Sequence, residues 1–244
     1  ERDRRMTIMT TCFIPCGAKM PIIGLIAGAL FGGSSLVAVS AYFIGMAAII
    51  CSGIMLKKTK AFAGDPAPFV MELPAYHVPA WGNVLRATWE RGWSFIKRAG
   101  SVILLSTVIL WFAQGFGFEN GAFGMIEDQD NSILAIVATK VAWIFAPLGF
   151  GNWKATVASV TGLIAKENVV GTFGVLYHFG GELSDNGDEI WALVAQDYTA
   201  LSAYAFMIFN LLCAPCFAAM GAIKREMNNG KWTAFAIGYM CALA

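Results

Sequence analysis

A chain of 244 residues that is 57 % apolar and 14 % charged, with a mean hydropathy of +0.62, is excluded as a soluble globule and falls in the membrane class. Seventeen basic against sixteen acidic side chains leave a net charge of +1, which gives neither the footprint of a nucleic-acid binder nor that of an acidic tail. The six cysteines lie in or beside apolar runs, a placement that argues against an extracellular disulfide scaffold.

The chain starts Glu1-Arg2-Asp3-Arg4-Arg5 with no initiator Met and ends inside an apolar run, so it reads as a piece of a longer protein; no small-residue cleavage site marks a signal peptide. A first crossing is expected over residues 8–31, interrupted by Pro15 and Pro21, and a second over 36–56 after the turn Gly32-Gly33-Ser34-Ser35. Residues 57–98 carry seven basic against three acidic side chains, the Lys and Arg excess of a cytoplasmic loop. Within it Trp81, Val84, Leu85, Thr88, Trp89, Trp93 and Ile96 recur at helical spacing, which fits either a helix lying in the headgroup plane or a connector packed on the bundle.

A third crossing is expected over 99–115, then an acidic loop over 116–132, and a fourth crossing over 133–151 that contains Lys140 and Pro147. The fifth, 155–179, contains Lys166-Glu167-Asn168 and leads into a second acidic loop, 180–197. The sixth covers 199–222, and the seventh begins near Trp232. Seven crossings from a cytoplasmic N-terminus put every basic loop on one side and both acidic loops on the other. The fold class is therefore all-α: a polytopic transmembrane helical bundle with broken helices.

Offset by 200 residues, Ile14-Pro15-Cys16-Gly17-Ala18-Lys19-Met20 aligns with Ala214-Pro215-Cys216-Phe217-Ala218-Ala219-Met220, so Pro, Cys, Ala and Met recur in two spans of opposite direction. That makes a candidate inverted repeat of the kind transporters use to build a site near mid-membrane. Proline leaves a carbonyl without its intrahelical partner, tolerable at that depth only in protein or beside a polar cavity. Cys16 with Met20 and Cys216 with Met220, each pair four residues apart, suit a soft or borderline metal; equally, they suit apolar packing in a bundle. Glu167 is expected either on a transport path, accepting from Lys19 or coordinating a cation, or in a buried structural network. His178 fits an entrance better than the same shell, and His77 reads as an exposed loop histidine. No phosphate loop, dinucleotide fingerprint or nucleophile elbow is present, so the chain is not expected to be an enzyme.

Phe13-Ile14-Pro15-Cys16-Gly17-Ala18-Lys19-Met20-Pro21, Glu72-Leu73-Pro74-x-Tyr76-x-x-Pro79, Thr161-Gly162-x-x-Ala165-Lys166-Glu167-x-Val169-Val170 and Gly174-x-Leu176-Tyr177, in that order, resemble the bacterial ferrous iron transport protein B family. The resemblance implies an inner-membrane protein with Fe2+ as transported substrate, and gate cysteines at Cys16 and Cys216 with an intramembrane acid at Glu167. GTP and Mg2+ would act only through a cytoplasmic GTP-binding domain, which this chain lacks, joined to a helical regulatory domain. Membrane lipid, a small cytoplasmic accessory protein and a homo-oligomer are the other partners it brings into view, and no nucleic acid. On this reading residues 1–56 form the first gate segment, 57–98 a cytoplasmic loop, 99–198 the central membrane region and 199–244 the second gate segment. The family's gates are similar to membrane segments of nucleoside transporters, so a nucleoside or other small-solute carrier is the alternative.

The charge asymmetry predicts that a single cysteine at position 190, in a background cleared of reactive thiols, is labelled from the outer face. Labelling from the cytoplasm alone would overturn the assignment of 180–197 to the outside.

Overall fold

The computed structural model describes residues 2–60, 62, 80–119, 122–126, 131–177, 179–181 and 183–244. His77, His178 and the 63–79 part of the expected cytoplasmic loop lie outside them. The first crossing is two helices, α1 (Arg2–Thr11) and α2 (Met20–Phe31), separated by an unwound stretch and a short 3-10 turn, Gly17–Lys19. The two prolines act differently. Pro15 stands in the unwound stretch, where its missing N–H removes a helical bond, whereas Pro21 sits in the first turn of α2, where that donor has no intrahelical partner anyway. Gly32 and Gly33, at φ +60° and +75°, make the left-handed turn that stops α2.

The next helix, α3 (Ser35–Lys58), is 24 residues long, about 36 Å at 1.5 Å per residue, and meets the hydrocarbon thickness of a bilayer. Its outward side chains Leu36, Phe43, Ile50 and Ile54 are exposed, as a lipid-facing surface requires. Then comes α4 (Trp81–Gly115), 35 residues without a break. The expected division at 98/99 between a loop helix and a third crossing therefore falls inside one helix: the charge change there marks no end of helical backbone. Beyond it, β1 (Phe116–Glu119) and β2 (Ala122–Met125) pair antiparallel with Phe118 opposite Phe123, so the bundle is mostly helical and not purely so.

The fourth and fifth crossings do not take the expected form. The fourth is α5 (Ile133–Ala142), ten residues and about 15 Å, capped by Ser132 and followed by a 3-10 turn around Pro147. The fifth is a pair of nine-residue helices, α6 (Trp153–Thr161) and α7 (Asn168–Leu176), folded back on each other. Thr172 Oγ1 lies 2.9 Å from Thr161 Oγ1, although a continuous helix would hold residues eleven apart about 16 Å from each other. Lys154 Nζ and Tyr177 Oη both donate to Asp197 Oδ2, at 2.8 and 2.9 Å, so the hairpin starts and ends at the same place. It enters and leaves by one face, because small buried residues, Ala155, Ala158, Ser159 and Gly162, let its arms close.

After α8 (Trp191–Asp197), α9 (Ala200–Leu212) and α10 (Phe217–Met227) are again two halves of one broken crossing, and α11 (Gly230–Leu243) follows. Arg4 pairs with Glu226 at one end of the bundle, while Phe31 packs edge-on against Tyr204 at the other. The α1–α2 and α9–α10 pairs therefore run in opposite directions. Among the described residues, α3 and the stretch Ala200–Met227 are long and apolar enough to cross a membrane. The main core joins Ile22, Ile23 and Leu25 of α2 to Phe173 of α7 and Phe206 of α9. Ile190 is buried in that core, whereas Asp188 beside it is exposed and is the position a labelling reagent can reach.

Gly28 shows how tightly α8 sits on α2: a Cβ there would fall within the Trp191 indole. Gly28→Ala is expected to lower stability by about 1–3 kcal/mol through overpacking. Gly53→Ala on α3, with open space around it, is expected to be neutral or to gain up to about 1 kcal/mol. Thermal unfolding of the purified full-length protein compares them, and an unchanged midpoint for Gly28→Ala would contradict the packing described.

Candidate functional site

Three interruptions of helical backbone meet inside the bundle: residues 12–16, residues 213–216 and the hairpin tip, residues 162–167. Each leaves polar backbone groups that an apolar interior cannot solvate, and each is answered by a group from another segment. Lys19, 3 % exposed, donates to Cys12 O at 2.9 Å and to Leu211 O at 2.7 Å, tying the carbonyl end of α1 to the carbonyl end of α9. Phe217 N–H, the first donor of α10, reaches Leu163 O of the tip at 2.7 Å. Lys166, 1 % exposed, places its ammonium 3.1 Å from Cys213 Sγ.

Local sequence sets this up. Pro15 and Pro215 stop their helices one residue before a cysteine, and Cys16 and Cys216 then adopt extended backbone, φ −92°, ψ 169° and φ −61°, ψ 160°, as the caps of the following turns. Gly45 of α3 lets the first unwound stretch lie against it, since a Cβ there would meet Phe13 O at 2.6 Å. Carbonyl ends of α1 and α9 and amino ends of the second half-helices bring fixed partial charges of both signs to one place.

Cys12, Cys16 and Cys216 are electrostatic neighbours, and Lys19 faces Cys16, Lys166, Cys213 and Cys12. Cys16 is exposed and Cys216 half-buried. Met20 is exposed and accepts a hydrogen bond from Tyr42 Oη at 2.9 Å; Met220 is half-buried in α10. Because Cys16 precedes the 3-10 turn and Met20 opens α2, the pair does not share one α-helical face as its spacing suggests, whereas Met220 N–H does bond Cys216 O. Glu167 is exposed at the tip and makes no hydrogen bond or ion pair among the described residues. Lys19 therefore does not pair with it; two helix-end carbonyls take the ammonium instead. Among the described residues no three His, Cys, Asp or Glu side chains converge as a metal centre in this conformation.

Sequence reasoning missed Lys19 as a bridge, Cys12 and Cys213 as neighbours of Cys16 and Cys216, and Asp197 as the clasp of the hairpin. The available signal for Lys19 was its position, a lone charge between two prolines in a run that should be apolar. Asn210 was missed as well: its Nδ2 donates to Phe206 O, but its buried Oδ1 has no partner.

The architecture is that of a membrane bundle built around two broken, antiparallel helix pairs, and comparison places it in a family. Residues 38–91 match the family described as "Ferrous iron transport protein B C terminus", and residues 96–230 match the gate family described as "Nucleoside recognition". The chain belongs to the ferrous iron transport protein B family, as part of its membrane region. It is 35 % identical over 250 residues to the Fe(2+) transporter FeoB of Methanocaldococcus jannaschii, covering 100 % of this chain and 36 % of that protein. It is 35 % identical over 240 residues to the Fe(2+) transporter FeoB of Staphylococcus aureus strain COL, covering 98 % and 34 %. To that of Salmonella paratyphi A it is 34 % identical over 285 residues, covering 97 % and 36 %. The chain thus spans about a third of the length of these curated relatives. No solved structure matches it significantly.

At the hairpin's base, burial pushes the Asp197 carboxyl up, but hydrogen bonds from Lys154 and Tyr177 outweigh it and hold the carboxyl below its ordinary value. Burial, then the bond to Asp197, pushes the Tyr177 phenol well up, keeping it a donor. A depressed carboxyl contributes stability that is present above its unfolded value near about 3.9 and lost as pH falls through the folded value. Asp197→Asn is expected to cost about 1 kcal/mol or less at pH 7, since the pair is partly exposed. The gap from wild type should shrink below about pH 4. Unfolding midpoints across that range check it, and a gap that widens on acidification would contradict it.

Proposed function

We propose that this chain is the permeation region of a ferrous iron transporter of the bacterial inner membrane, with its N-terminus on the cytoplasmic side. The observation that carries the reading is the meeting of three helix interruptions beside four cysteine sulfurs, in a chain whose relatives are named Fe(2+) transporters. Ferrous iron is a borderline divalent cation, and a weak succession of sulfur and oxygen ligands offsets its dehydration without trapping it. Cys16 and Cys216 supply sulfur at the mouths of the two gates, with Met20 and Met220 one turn on. Glu167 supplies an anionic oxygen at the hairpin tip, where its exposure leaves it free to meet an ion.

The antiparallel run of α1–α2 against α9–α10 supports treating the two gate segments as inverted repeats. Both α6–α7 and α5 being partial segments lowers the count from seven crossings to five while keeping both acidic loops outside, because two crossings are lost together. Lipid surrounds the bundle. In the full-length protein a cytoplasmic GTP-binding domain, with Mg2+, and a helical regulatory domain act on the gates, and a small accessory protein and self-association are further partners. A nucleoside carrier is the second reading, favoured by the description of the family matched over 96–230; uptake of iron that nucleosides do not compete with decides against it.

Glu167→Gln keeps shape and hydrogen bonding and removes the charge. In the full-length protein it is expected to lower initial Fe(II) uptake per folded transporter by about tenfold while folded yield and GTP hydrolysis hold, as loss of an intramembrane carboxylate on a cation path should. Unchanged uptake across ferrous concentrations would remove Glu167 from the path, and a parallel collapse of folded yield would make it structural.

A further inference from the structure

Lys19 joins the carbonyl ends of two broken helices. Its ammonium is 2.7 Å from Leu211 O and 2.9 Å from Cys12 O, and these two carbonyls belong to the C-terminal ends of different broken helices, α9 and α1. The last carbonyls of a helix have no intrahelical partner and carry the negative end of its dipole, so two such ends aimed at one point form a cation-coordinating site.

Charge sharpens the argument. A buried ammonium ordinarily takes a carboxylate, because an isolated one is costly. Lys19 takes none among the described residues, and the titratable groups that face it are Cys16, Lys166, Cys213 and Cys12. A second buried ammonium, that of Lys166, therefore stands in the same neighbourhood, held by Cys213 Sγ. With both ammonium groups in place the crossing repels an arriving cation, and the oxygens it would need are already occupied.

We propose that Lys19 is a tethered plug: its ammonium fills a carbonyl cation site between the two gates in the closed state, and must leave the Cys12 and Leu211 carbonyls before a divalent cation can pass. The inference deepens the transport reading and rests on it for the identity of the passing ion, but the carbonyl site itself does not depend on that ion being iron.

The test uses the full-length protein in sealed vesicles and two readouts. Lys19→Gln keeps an amide donor for the carbonyls and loses the charge; Lys19→Arg keeps the charge. Rubidium leak per folded protein, measured without nucleotide, is expected to rise about tenfold in Lys19→Gln and to stay near wild type in Lys19→Arg, because only the charged group excludes a cation from the site. Folded Lys19→Gln with wild-type leak would overturn the plug and leave Lys19 a plain staple between two helix ends, whatever happens to iron uptake. Conversely, a leak that appears while wild type takes up no Fe(II) would keep the plug and remove the iron reading. Wild type gives an answer independent of variant folding: under Fe(II) uptake, reductive methylation of Lys19 read by mass spectrometry should rise severalfold over the resting protein, with exposed Lys224 as reference. Lys19 staying protected while iron accumulates in the same vesicles would also overturn the plug.

Discussion

A helix interrupted inside hydrocarbon must find partners for its freed backbone groups, and in this chain one ammonium serves two interruptions at once. Lys19 joins Cys12 O to Leu211 O, and without it two helix ends would face an apolar interior bare. The other interruption answers in kind, since the tip carbonyl of Leu163 takes the first N–H of α10. The breaks are thus mutually satisfying: none is stable alone, and together they define a compact polar locus in an apolar bundle. That is the physical reason the prolines are tolerated.

The hairpin α6–α7 links this locus to the opposite end of the bundle. Its base is clasped by Asp197, with Lys154 also 4.3 Å from the Tyr177 ring centroid, and its tip touches the α9–α10 break through Leu163 O and Lys166. A displacement of the tip would uncap α10 and release Cys213 Sγ in one movement. Packing of Phe173 against Phe206 at 5.6 Å makes the hairpin and α9 move against a shared aromatic core.

Much of this was legible in the sequence where the cause is local. Pro15 and Pro215 announce breaks because a missing N–H acts at its own position, and Gly32-Gly33 announces the end of α2 because left-handed backbone does. The limits of α3 follow from hydropathy. The hairpin was not legible: residues 155–179 have the length and polarity of a crossing, and only tertiary capping at Asp197 and close packing of small side chains fold them back. Helix α4 runs through position 98/99 for a related reason, since charge reports depth and not helix continuity. At the site, Glu167 drew attention as the acid beside a lysine, but helix-end carbonyls claimed the other lysine, and their convergence depends on residues 192 positions apart.

The central claim is that the meeting point of these interruptions is where the ion passes. Anaerobic iron X-ray absorption on the full-length protein, loaded with Fe(II) in lipid nanodiscs, tests it most directly. The account predicts sulfur in the iron's inner shell that disappears when Cys16 and Cys216 are both replaced by serine. Iron surrounded by oxygen and nitrogen alone, in wild type and variant alike, would contradict it.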